Sequence, residues 1–106
     1  VTSNDGSIRN LQFNKAMIAT GARANIPSFL QNIPHLTNKN FFNLSELPPR
    51  IVVIGCGPIS LELSQALSIY GSQVICLEES DEILHREDID AAKLIHNLLE
   101  QDGVTL

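Results

Sequence analysis

The sequence has no tryptophan, one tyrosine, one methionine and only two cysteines in 106 residues. Cys56 and Cys76 stand twenty residues apart, which is neither a disulfide framework nor a CxxC pair. With His35, His85 and His96 they match no zinc-ligand spacing, so no metal site is expected. They read as buried thiols in a reducing, cytoplasmic setting, and a disulfide between them is left open should their strands be neighbours. Long apolar runs are missing too: nothing approaches the roughly 20 residues that span a bilayer. The opening VTSNDGSIRN has neither the basic nor the apolar region of a signal peptide, so no membrane partner is expected. Positive charge is scarce and uneven. Residues 1–50 carry five Lys or Arg against two acids, a net +3, whereas residues 51–106 carry two against ten, a net −8. Phosphate backbones require clustered Lys or Arg, so no nucleic-acid partner is expected. Most of the acids read as a solvated face.

What remains is a chain with 43% apolar composition, enough for a modest core. It is organised around residues 51–78, which open IVVIGCGPISLE and close VICLEE. A β-branched run enters Gly55, Gly57 and Pro58, and the apolar spacing then becomes helical, predicting strand, tight turn and helix. Residues 50–54 lack polar alternation, so both faces of that strand should be covered, as in a parallel sheet. Pro58 suits the first helical turn. Ile59, Leu63, Ala66 and Tyr70 give one apolar stripe, and Gly71 a C-terminal cap. Residues 73–77 form a second strand. A helix from about 88 to 101 follows, with Ile89, Ala92, Ile95, Leu98 and Leu99 inward and Gly103 closing it. Residues 104–106 begin a third parallel strand.

Upstream, residues 1–2 and 7–13 should pair as two short strands across Asn4, Asp5 and Gly6. Residues 15–20 (KAMIAT) read as a third strand that Gly21 ends. Residues 22–50 hold four prolines and no sustained period, so they read as a connector. Within it residues 37–47 should form one or two short helical turns, Ser45 capping one that Pro48 stops. Phe41, Phe42 and Leu44 should pin this crossover to a core.

The chemistry follows from the glycine turn. Unpaired N–H groups at the start of a helix, reinforced by its dipole, favour a pyrophosphate. Gly55 permits the turn, Gly57 lets backbone approach the phosphates, and Ser60, in place of a third glycine, is small enough for close packing. Glu78, twenty-three residues beyond Gly55, would accept hydrogen bonds from the adenosine ribose. Around it Glu79, Asp81 and Glu82 would repel a 2′-phosphate, which favours NAD(H) over NADP(H). By its position alone Glu62 reads as a surface or dipole-compensating acid.

A strand ending Ala19-Thr20-Gly21, a Pro-rich crossover, and GxGxxxxE as Gly55, Gly57 and Glu62 with Glu78 beyond together resemble the pyridine nucleotide-disulfide oxidoreductase family. That family includes dihydrolipoamide dehydrogenase and mercuric reductase. HREDIDAA at 85–92 is most similar to the mercuric-reductase-like branch. The resemblance implies an α/β chain: residues 1–21 as the last strands of an FAD domain, 22–49 as linker, and 50–106 as the first half of a Rossmann-type NAD domain, parallel βαβαβ. It further implies FAD near Ala19, Thr20 and Gly21, backbone contact from Ile59 to the pyrophosphate, and Glu62 toward the nicotinamide. Pro58 stands where several relatives carry an aromatic gate. The parent is implied to be a homodimeric flavoenzyme passing hydride from NADH to FAD and on to a disulfide or metal acceptor. No CxxxxC pair, FAD glycine motif or HxxxxE pair occurs in the 106 residues, so the chain is expected to be an inactive excised piece with no catalytic residue of its own. A non-catalytic NAD-binding regulatory module shares Gly55, Gly57 and Glu78 but gives no reason for the Ala-Thr-Gly strand and its crossover. A single-domain dehydrogenase would need a Tyr-Lys or His-Asp set, and Tyr70 has no lysine near it in sequence.

Overall fold

The computed structural model of the chain describes residues 1–106, in two units, Val1–Phe41 and Phe42–Leu106. In the second, the β-branched run becomes β1 (Arg50–Ile54), followed by α1 (Pro58–Ile69), β2 (Gln73–Leu77), α2 (Ile89–Gln101) and β3 (Val104–Thr105). The sheet order is β1-β2-β3, parallel throughout, with Val53 beside Cys76 and Val74 beside Val104. Two successive β-α-β crossovers make this the parallel half of a Rossmann-type fold.

Strand alternation sets the core. Val74, Cys76 and Val104 are buried on the helix-covered face, with Leu61, Leu67, Ile83, Ala92 and Leu99 packed over them. Burying one such aliphatic side chain contributes about 1.5–3 kcal/mol. The opposite face carries Val52, Ile54, Ile75 and Leu77, with Val52 at 55% exposure. The expectation that both faces of β1 are covered is therefore corrected: the parallel pairing is as expected, but both crossover helices lie on one side.

The stripe expected along α1 is corrected as well. Ile59 and Tyr70 are exposed, and the buried row is Leu61, Ser64 and Leu67. Apolar side chains lie round much of this helix, so period alone does not select a face; closeness of approach does. Ser64 is small, its hydroxyl donates to the Ser60 carbonyl at 2.6 Å, and it meets the Cys76 sulfur at 3.0 Å. The helix ends in a paired set of bonds, Gly71 N–H to Ser68 O and Ser72 N–H to Leu67 O, which satisfy carbonyls that would otherwise be orphaned. On α2, Asp88 caps the start by accepting from the N–H groups of Asp90 and Ala91. Ala92 and Leu99 are buried, whereas Ile89, Ile95 and Leu98 are not. Gln65 Nε2 donates to Asp102 Oδ2 at 2.6 Å and Ser68 Oγ to the Asp102 carbonyl at 2.7 Å, tying α1 to the turn beyond α2. Ser72 Oγ donates to the Pro48 carbonyl.

The first unit has little regular structure. The turn at Asn4, Asp5 and Gly6 forms, with Gly6 N–H on the Ser3 carbonyl, but the strands around it reduce to one antiparallel bridge, Thr2 to Ile8. Residues 15–20 form no strand, and Met17 is 91% exposed. A strand requires a hydrogen-bonded neighbour, and none stands beside these residues. Short 3-10 turns occur at Ser28–Leu30 and Phe41–Asn43. The second is preceded by a Thr37 turn, closed by Thr37 N–H on Asn40 Oδ1; the turn that Ser45 is expected to cap before Pro48 does not form, residues 45 and 46 being a bend. Phe42 and Leu44 are exposed and Phe41 is half-buried.

Candidate functional site

β1 and β2 deliver their C-terminal ends side by side, and the site lies just beyond them. Gly55 continues the ladder through its N–H on the Leu77 carbonyl at 2.7 Å, then turns with φ +88°, a conformation costing an L-residue roughly 1–2 kcal/mol. Gly57 caps α1 without a side-chain bond, its carbonyl accepting from Leu61 N–H at 3.0 Å. Pro58 has no N–H to offer, and those of Ile59 and Ser60 lie in the first turn, where no intrahelical acceptor exists. Gly57, Pro58 and Ile59 are exposed, and a Cβ built on Gly57 would meet nothing within 4 Å. An anion can therefore reach these donors from solvent.

Glu78 follows β2 and faces this turn. Its Oε2 accepts from Cys56 N–H at 2.7 Å, while Oε1 accepts from the N–H groups of Glu79 and Ser80 at 2.9 and 3.2 Å. These bonds, that of Cys56 first and that of Ser80 next, hold the carboxyl below its ordinary range. The site keeps a fixed negative charge beside the anion-accepting turn.

Beneath the turn both thiols are free and buried, Cys56 at 1% and Cys76 at 2% exposure. Burial, then the neighbouring Cys76 and Glu78, pushes the Cys56 thiol up to about 11. Such a thiol packs as a small apolar group and is a poor nucleophile.

Gly55, Gly57, Pro58, Ile59, Ser60 and Glu78 are thus brought together. Glu62 is exposed in the second turn of α1. Ala19, Thr20 and Gly21 belong to the other unit, Val1–Phe41, and are exposed in irregular chain. No group of three or more His, Cys, Asp or Glu is placed to hold a metal ion, and no helix is long and apolar enough to cross a membrane. Leu84, whose N–H donates to the Cys56 carbonyl at 3.3 Å, and buried Ile83 beside it join the site from outside the sequence motifs. Ile83-Leu84, an apolar pair inside an acidic run, is the signal that could have found them.

A sequence profile described as pyridine nucleotide-disulphide oxidoreductase matches residues 1–106. A dihydrolipoyl dehydrogenase of Geobacillus stearothermophilus is 36% identical over 95% of the chain and 22% of its own length. A mercuric reductase of Shewanella putrefaciens is 33% identical over 98% of the chain and 19% of its own length. The chain thus spans about a fifth of these relatives. Among solved structures, the HOCl-induced flavoprotein disulfide reductase RclA from Escherichia coli superimposes with a TM-score of 0.56 at 38% identity, over 59% of the chain and 14% of its own. An engineered water-forming NADPH oxidase bound to NADPH gives 0.52 at 34% identity, over 55% of the chain and 13% of its own.

Proposed function

The chain belongs to the pyridine nucleotide-disulphide oxidoreductase family, whose members are FAD- and NAD(P)-dependent, and on that premise we propose that residues 50–106 bind the nicotinamide dinucleotide. The observation that carries the reading is the open glycine turn beside a charged Glu78. Ile59 and Ser60 N–H groups bind the pyrophosphate, Gly57 leaves the space it needs, and Pro58 opens the helix without competing for it. Glu78 accepts a ribose hydroxyl through the acceptor capacity its three backbone donors leave. Glu62 orients the nicotinamide end. A bound NADH would supply the hydride for a flavin and so the electrons for a disulfide or metal acceptor.

Residues 1–21 belong to the FAD side, with Ala19, Thr20 and Gly21 near the flavin, and residues 22–49 are the linker. The whole protein is a homodimeric enzyme of the reducing cytoplasm, a setting that the free Cys56 and Cys76 suit. NADH is preferred, because Glu78, Glu79, Asp81 and Glu82 meet a 2′-phosphate with like charge. Fluorescence titration of the chain with NADH and NADPH tests this: NADH binds more tightly. Equal or tighter NADPH overturns the preference, and failure to bind either overturns the site.

A further inference from the structure

Both polar atoms of the Cys56 main chain are held by the connection between β2 and α2. Its N–H donates to Glu78 Oε2 at 2.7 Å, and its carbonyl accepts from Leu84 N–H at 3.3 Å. Residues 78–84 therefore form a strap over the middle of the glycine turn. Ile83, 4% exposed, anchors the strap, and Leu84 is the only non-glycine residue with positive φ, at 51°. Gly55 is held by its N–H on the Leu77 carbonyl and Gly57 by its carbonyl under Leu61 N–H, whereas both main-chain bonds of Cys56 between them come from the strap. Its shape before any ligand arrives depends on the strap.

We propose that Glu78 is a positioning residue as well as a ribose ligand: one carboxylate reads the ribose and fixes the Cys56 peptide, so selectivity against a 2′-phosphate cannot be separated from the preorganisation of the phosphate-binding turn. This rests on the dinucleotide reading above. The donors arrive on both oxygens, Cys56 on Oε2, Glu79 and Ser80 on Oε1, so a carboxylate alone satisfies them. An amide in either orientation turns its NH2 toward one set. Of about four acceptor positions on the carboxylate, three are taken, leaving one for a single ribose hydroxyl. If charge repulsion were the whole role of Glu78, Glu78→Gln would relax it and admit NADPH. With the two roles joined, the same change releases the turn and weakens both nucleotides.

The test uses the full chain, with Glu78→Gln beside the native protein. Residue-resolved amide exchange is followed without ligand, and NADH and NADPH are titrated. In the native chain the Cys56 amide exchanges at least about tenfold more slowly than those of Ile59 and Ser60, which have no acceptor. In Glu78→Gln this protection falls about tenfold while Val74 and Ile75 in the sheet keep theirs, NADH weakens about tenfold, and NADPH gains nothing. A Cys56 amide as fast as that of Ile59 in the native chain overturns the proposal, with no variant required. So does a Glu78→Gln chain with unchanged Cys56 exchange, or one that binds NADPH tenfold more tightly than the native chain. A native chain that binds neither nucleotide overturns the dinucleotide reading and the selectivity claim with it, while the exchange data still decide whether Glu78 positions the turn.

Discussion

At the residue scale, environment rather than residue type sets the chemistry of Cys56 and Glu78. The Cys56 thiol, pushed up to about 11 first by burial, stays protonated at neutral pH. Iodoacetamide near pH 8 should leave both thiols unmodified in the folded chain and label them rapidly in denaturant, as peptide mass spectrometry would show. Because the folded pKa is raised, the stabilisation by Cys56 is complete below the ordinary thiol value and is lost as pH rises toward 11. Glu78 has the opposite sign. Its carboxyl is held low by the N–H of Cys56 and then of Ser80, so its contribution is present above the ordinary carboxylate range and disappears as pH falls through the folded value. The difference in urea midpoint between the native chain and Glu78→Gln is therefore expected at pH 7 and should close in acid. Glycine, proline and acid at this site were legible because each is required by backbone geometry or charge. The partners of Glu78 were not, since they are backbone groups that any sequence would supply.

Elements differ in how far their own residues specify them. Asp88 caps α2 with a carboxylate two and three residues from the N–H groups it accepts, Asp90 and Ala91; such a contact is local in sequence. Asp88→Ala should cost about 1 kcal/mol, measured by denaturant unfolding. Gly103 ends α2 with φ +86°, and a Cβ there would stand 3.1 Å from Ser68 Oγ. Gly103→Ala should lower stability by about 1–2 kcal/mol, and the same unfolding measurement checks it. The buried face of α1 departs from the expected stripe for the complementary reason. Ser64 is buried because β2 approaches closely enough to meet its hydroxyl with the Cys76 sulfur, a long-range fact that helical period does not encode. Residues 15–20 carry a strand-like pattern yet form none, since β-propensity expresses packing and pairing more than backbone preference.

At the scale of the whole unit Phe42–Leu106, the dominant feature is a sheet whose helices lie on one face. Val52 lies opposite Ile75 and Ile54 opposite Leu77 in the parallel register, and all four are exposed. Contiguous apolar surface of this kind binds apolar dyes and promotes association. Val52→Lys with Ile75→Glu, opposite charges on facing positions, should lower the fluorescence of an added apolar dye severalfold while leaving the unfolding midpoint nearly unchanged, because neither side chain belongs to the helix-covered core.

Local sequence suffices for the order of strand, turn and helix, the parallel pairing, and the glycine turn with its acid, because each follows from local period, backbone allowance or charge. Tertiary structure alone decided which side of each element is buried, that residues 15–20 form no strand, and that Glu78 and Leu84 hold the Cys56 peptide. Those outcomes depend on which groups arrive from distant positions to pair or pack, and no short stretch of chain contains that information.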